Sequence, residues 1–156
     1  MSANTPRIRA ATVWLDGCSG CHMSFLDLDE RLIELAERID FVYTPLVDTK
    51  EFPDNVDLTL VEGAVSSADD LAKIQRIRQR TRLLISLGDC AVTGNVPSMR
   101  NAFSVQDIFQ RAYFETATLN PSVQIGSSRR SCRRCGRSIT TSRSTSTCRA
   151  ARPRPT

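Results

Sequence analysis

Short apolar runs alternate with amphipathic stretches along most of the chain, and this alternation sets the expected layout. Residues 8–15 are almost continuously apolar, the pattern of a strand covered on both faces in the middle of a parallel sheet. Residues 16–23 read as a loop, after which Ser24 with Asp27 makes a capping-box-like start for a helix over about 24–38. Phe25, Leu28, Leu32, Leu35, Ala36 and Ile39 recur at steps of three and four and define its expected buried face; Asp29, Glu30, Glu34 and Glu37 fall largely outside it. A second strand is expected over 39–43, and Pro45 and Pro53 mark an irregular connection to a third over 57–61. Ser66 and Ser67, each with an Asp three positions on, open a helix that turns Leu71, Ile74 and Ile77 inward. A fourth strand over 83–87 leaves through Gly88-Asp89-Cys90-Ala91. Ser104 and Asp107 start a last helix to about Thr116, with Val105, Ile108, Phe109 and Ala112 inward.

Strands that alternate with helices pair in parallel through right-handed crossovers, so the expected class is α/β: an open parallel sheet flanked by helices. Ligands of such sheets gather at the carboxyl ends of the strands. Here Cys18 and Cys21 follow the first strand, Glu62 the third and Cys90 the fourth. Three loops distant in sequence are thereby expected on one rim.

Composition narrows the picture. A chain of 156 residues, 40% hydrophobic, suits one domain with a real core. Its formal charge of +4 hides two unlike regions. Nine Arg and no acid lie beyond residue 126, so 12 of the 21 basic side chains face 17 acidic ones in the rest, a net of −5. The acidic folded part argues against a nucleic-acid-binding domain, and Arg76, Arg78, Arg80 and Arg82 read as solvated helix surface. No run approaches the roughly 18 apolar residues of a membrane span, and residues 1–7 lack an apolar signal core. A cytoplasmic location is expected, and the six cysteines then read as thiols or metal ligands rather than disulfides.

Cys18-Ser19-Gly20-Cys21 can turn two sulfurs toward one iron–sulfur cluster or zinc ion, with Gly20 relaxing the backbone. A thioredoxin-like redox pair is the rival reading; such a pair opens a helix directly and needs no third thiol. Cys90 taken alone also reads as a core thiol. These alternatives stay open on the residues themselves.

Three segments carry a resemblance. Residues 16–27 (Asp-Gly-Cys-Ser-Gly-Cys-His-Met-Ser-Phe-Leu-Asp), Val61-Glu62-Gly63-Ala64-Val65 and residues 88–97 resemble the small subunit of cytoplasmic bidirectional NAD-reducing [NiFe] hydrogenases, a relative of the 20-kDa subunit of NADH:ubiquinone oxidoreductase. The resemblance covers about 7–121. It implies a flavodoxin-like fold and a [4Fe-4S] cluster bound by Cys18, Cys21 and Cys90. It further implies electron relay between a large [NiFe] partner subunit that activates H2 and NAD(P)-reducing diaphorase subunits. Glu62 matches a glutamate with a proton-transfer role at the subunit boundary; the alternative reading is a solvated or helix-capping acid. His22 is expected as a loop or interface residue rather than a ligand. FMN at the same rim, in a flavin-binding electron-transfer module, is one alternative. A non-catalytic interaction protein that uses its basic tail is another.

The expected organisation is thus an electron-transfer domain over 7–121 and a tail over 122–156. Beyond Gln124 the aliphatic periodicity stops, and from Ser127 onward Ile139 is the only large aliphatic residue among nine Arg, seven Ser, five Thr and three Cys. Such a segment buries no core and is expected to be disordered on its own. Cys132-Arg133-Arg134-Cys135 mimics a metal pair and the Arg run a nucleic-acid arm, and neither has the setting that would support it. The family's fourth cysteine lies in a Pro-Gly-Cys-Pro-Pro motif that this chain lacks. With GC-rich codons, residues 148–153 read two bases out of frame give Leu-Pro-Gly-Cys-Pro-Pro, so the tail is expected to be a frame-shifted reading of the family's C-terminus.

Overall fold

The apolar runs become a parallel sheet because each is short, nearly uninterrupted and followed by a segment able to cross back over it. The computed structural model describes residues 6–47, 49–116 and, for the backbone, 131–136. Strands β1 (Ile8–Trp14), β2 (Ile39–Tyr43), β3 (Val56–Glu62) and β5 (Thr81–Leu87) form one sheet in the order β2-β1-β3-β5, every pair parallel. Counting these four alone, the order is 2-1-3-4, the flavodoxin-like arrangement, with its switch point between β1 and β3. The expected α/β class and helix-flanked parallel sheet are found.

Register fixes the faces. Val13 lies opposite Val61, and Thr59 opposite Leu84, so Ala11, Val13, Val61 and Leu84 point to one side. There they meet Ile74 and Ile77 of α3 (Ala68–Arg80), both fully buried. Each such side chain contributes roughly 1.5–3 kcal/mol by leaving water. The helix starts where the sequence places it: the Asp70 N–H donates to Ser67 Oγ (3.0 Å), and the Ser67 N–H donates to Asp70 Oδ2 (2.9 Å), a reciprocal capping box. At its other end two of the Arg expected as solvated surface are engaged. Arg80 pairs with Asp54 (2.9 Å) and donates to the Phe52 carbonyl, and Arg78 donates to the Thr81 carbonyl. Among the described residues no helix is long and apolar enough to cross a membrane.

Three elements depart from the expected boundaries. The helix expected over 24–38 is two short helices, α1 (Gly20–Leu26) and α2 (Glu30–Ala36), broken at Asp29, whose φ of +46° no helix accommodates. The break turns the apolar stripe, so Leu28 and Ala36, expected inside, are exposed. The outgoing segment after β5 is not a plain loop but the short helices α4 (Asp89–Val92) and α5 (Asn95–Ser98) and a 3-10 turn. The last helix, α6 (Val105–Gln110), starts as expected with the Asp107 N–H donating to Ser104 Oγ (3.0 Å), then widens into a π turn over Arg111–Glu115.

β4 (Val65–Ser67) pairs antiparallel with β6 (Ser131–Gly136), so six tail residues hold a backbone ladder. The other tail residues, Cys148 and the out-of-frame motif included, lie outside the described residues.

Candidate metal centre

The loops after β1 and β3 are pinned to each other ahead of the first cysteine. The Leu15 N–H donates to the Glu62 carbonyl (2.9 Å), and Asp16 and Ala64 exchange backbone bonds of 3.0 and 2.7 Å. Ser66 Oγ adds a bond to the Asp16 carboxylate. This closeness demands glycine at Gly63: φ is +90°, and a Cβ there would stand 2.8 Å from the Asp16 carbonyl oxygen. A Cβ on Gly17 would lie 3.3 Å from Gly63 Cα and 4.0 Å from Cys90 Cβ, which brings the loop after β5 onto the same rim.

Cys18 is exposed, and Cys21 and Cys90 are half-buried; all three are free thiols. Gly88, at φ +82°, faces Cys21 so closely that a Cβ would fall 2.1 Å from Cys21 Sγ. A Cβ on Gly20 would sit 3.3 Å from Cys18 Sγ. Burial pushes the Cys90 thiol pKa up, and the charges of Cys18, Cys21, Asp89 and Glu62 add to that push. The groups that the sequence singles out therefore share one neighbourhood. Soft thiol donors suit zinc or iron–sulfur chemistry. Tetrahedral zinc, with Zn–S bonds near 2.3 Å, needs sulfurs within about 4 Å of one another. Among the described residues no three Cys, His, Asp or Glu side chains close on a single point in that way. A cluster spreads its ligands over separate irons and does not need that closeness. The described residues bring three free thiols to this rim.

α1 begins four residues earlier than the sequence suggests, so Cys21 and His22 lie in its first turn. The Cys18/Cys21 pair therefore opens a helix directly, as a thioredoxin-like pair does, and helix placement does not separate the two readings. A redox pair needs no third thiol, and Cys90 lies on the same rim.

Glu62 is 5% exposed, so it is no solvated acid; its Oε2 accepts the His22 N–H at 3.0 Å. His22 is 2% exposed and belongs to neither a loop nor an open surface. Its Nε2 lies 2.9 Å from Thr12 Oγ1, and its ring meets Trp14 edge-on at 5.2 Å and Phe25 at 6.1 Å. Burial holds the imidazole pKa below its ordinary value, against the opposing pull of Glu62. His22 Nδ1 and Trp14 Nε1 are buried without a partner among the described residues. Sequence reasoning missed the Thr12–His22 pair. Period two along β1 and β3 was the available signal, since Thr12, Trp14 and Glu62 share a face and Trp14 is in register with Glu62.

Residues 18–137 match the family described as NADH ubiquinone oxidoreductase, 20 Kd subunit. The NAD-reducing hydrogenase HoxS subunit delta of Cupriavidus necator is 43% identical over 115 residues, which cover 74% of this chain and 55% of that protein. An iron-sulfur subunit of the F420-non-reducing hydrogenase of Archaeoglobus profundus is 30% identical over 123 residues, 73% of this chain and 38% of that one. The chain thus spans about half the length, or less, of these curated relatives. A crystal structure of NAD+-reducing [NiFe]-hydrogenase in the H2-reduced state superposes with a TM-score of 0.81 at 32% identity, over 86% of this chain and 77% of the matched one. The chain belongs to the family of the 20 Kd subunit of NADH ubiquinone oxidoreductase.

Proposed function

We propose that the chain is the cluster-bearing electron-transfer subunit of a [NiFe] hydrogenase, with Cys18, Cys21 and Cys90 as ligands of a [4Fe-4S] cluster. The observation that carries this reading is the meeting of two cysteine-bearing segments, distant in sequence, that bring Cys18, Cys21 and Cys90 to one rim around Gly17, Gly20, Gly63 and Gly88. The kinship with a hydrogenase delta subunit and with an iron-sulfur subunit supports it. When bound, the cluster supplies one-electron transfer between an H2-activating large subunit and an NAD(P)-reducing module. The chain's own part is to hold three thiolates at set positions, to shield Cys21 behind Gly88, and to tune the potential through burial and hydrogen bonds. Met23, Val92, Val96, Met99 and Phe103 are exposed apolar side chains close in sequence to the cysteines, as a rim covered by a partner subunit requires. The fourth ligand is not assigned to a residue of this chain; in the frame-shift reading it sits in the alternative frame of the tail.

The test is anaerobic expression with the large subunit, as the chain stands and with the tail frame restored, followed by electron paramagnetic resonance and iron and acid-labile sulfide analysis. Cys18→Ser, Cys21→Ser and Cys90→Ser should each lower bound iron. Absence of any [4Fe-4S] signal from both forms would sink the proposal. The placement of Cys18 and Cys21 at the start of α1 fits a second reading, a thiol redox pair, equally well. That reading expects no iron and a reversible Cys18–Cys21 disulfide that survives Cys90→Ser.

A further inference from the structure

We propose that Glu62 is a positioning residue for Cys21, acting as a cap supplied to α1 from the end of β3. This rests on the reading of Cys21 as a ligand. The first N–H groups of a helix have no partner within it, and the usual solution is a Ser, Thr, Asp or Asn side chain at the N-cap in extended backbone. Ser19 occupies that place in α1 but stands at φ +63°, and its side chain makes no capping bond. The Glu62 carboxylate, 40 residues away in sequence, takes the N–H of His22, the third helical residue, at 3.0 Å. A charged acceptor makes the stronger class of hydrogen bond. Because Glu62 is almost wholly buried, its oxygen has few competing water partners.

The same residue is fastened a second time. His22 Nε2 bonds Thr12 Oγ1 on β1, so its backbone is held by β3 and its ring by β1. Parallel register places Trp14 beside Glu62, which puts both anchors on the face where α1 lies. With residue 22 fixed at two points, the preceding turn has little freedom to rotate, and the Cys21 sulfur is set against Gly88. Thr12, His22 and Glu62 together decide where that thiolate sits. The bond from β3 requires an acceptor oxygen at Glu62 and no ionisable proton.

That distinction makes the inference testable against the proton-transfer reading. Glu62→Gln retains an oxygen that accepts the His22 N–H, whereas Glu62→Ala leaves the donor orphaned. In the complex with the large subunit, Glu62→Gln should keep wild-type iron content and resonance signal. Glu62→Ala should weaken iron retention by roughly 10–100-fold, the usual scale for loss of a group that orients a metal ligand. Thr12→Val, which removes the other anchor from a well-packed strand, should shift the same readouts in the same direction and serves if Glu62→Ala fails to fold. In the metal-free chain, amide exchange at His22 should accelerate in Glu62→Ala and stay slow in Glu62→Gln. Wild-type loading with slow exchange in Glu62→Ala would overturn the inference. Equal loss of iron in Glu62→Gln and Glu62→Ala would overturn it in favour of the charge. A wild-type complex without a cluster would remove the ligand reading, while the exchange experiment would still decide the cap.

Discussion

Gly88 offers the sharpest separation between what holds the fold and what arranges the thiols. Replacement by Ala adds a Cβ that, at the present geometry, falls 2.1 Å from Cys21 Sγ and 3.1 Å from Cys21 Cβ. Non-bonded carbons rest at about 3.5–4.0 Å, so the sulfur has to move by more than about 1 Å. Rotation about χ1 is the available route, and an off-well or disfavoured rotamer on a helix costs about 0.5–1.5 kcal/mol. Residue 88 itself stands at φ +82° and ψ 167°, a region that essentially only glycine adopts, where a side chain costs about 1–3 kcal/mol more. The two terms together give about 2–3 kcal/mol. With a urea dependence of about 1–3 kcal/mol/M for a small domain, the unfolding midpoint should fall by about 1 M. The chain should therefore still fold in buffer. Its thiol cluster should not survive intact, because the displaced sulfur belongs to one of the three converging residues. Iron and acid-labile sulfide per chain after anaerobic reconstitution should drop well below wild type, while far-ultraviolet circular dichroism stays unchanged. If Gly88→Ala bound as much iron as wild type, Cys21 would not be a ligand held at this position. If the midpoint did not move, the strain assigned to φ +82° would be wrong.

Ile77→Ala in α3 should destabilise by about 2–5 kcal/mol, since Ile77 is fully buried beneath the sheet and its loss leaves a cavity; urea unfolding reads this directly. Ser67→Ala removes one arm of the capping box and should cost about 1 kcal/mol, visible as a fall of a few degrees in melting temperature. The metal-free chain should lose stability on acidification. His22 has its pKa lowered in the folded state, so the unfolded chain binds the proton more readily. Stability is then fully present above the unfolded value of 6.5 and falls as pH drops from there toward the folded value. His22→Gln should flatten that part of the profile in denaturant midpoints measured across the range; an unchanged slope would refute the assignment.

The strands were legible because their cause is local: four short apolar runs rich in Val, Ile and Leu, each ended by a polar or glycine-bearing turn. Parallel order and the shared rim followed from the alternation with helices, and that sufficed to place Cys18, Cys21 and Cys90 at the same end of the sheet. The misjudged start of α1 has a different origin. A helix normally announces its N-terminus with a capping residue beside it, and Ser24 with Asp27 offered such a signal. The group that engages the α1 turn is Glu62, which sequence proximity cannot supply, so the helix begins at Gly20. The break at Asp29 is likewise set by packing rather than propensity: the apolar spacing runs through it unbroken in the sequence, yet Leu28 emerges exposed while Leu32 and Leu35 stay half-buried. The β4–β6 ladder escaped the sequence for a third reason: backbone pairing needs no side-chain pattern, and a segment too polar to build a core still carries one N–H and one C=O per residue. The three cysteines could be read from their own types and spacing. The contacts among Thr12, His22 and Glu62 could not, because they form only when β1 and β3 lie side by side in register.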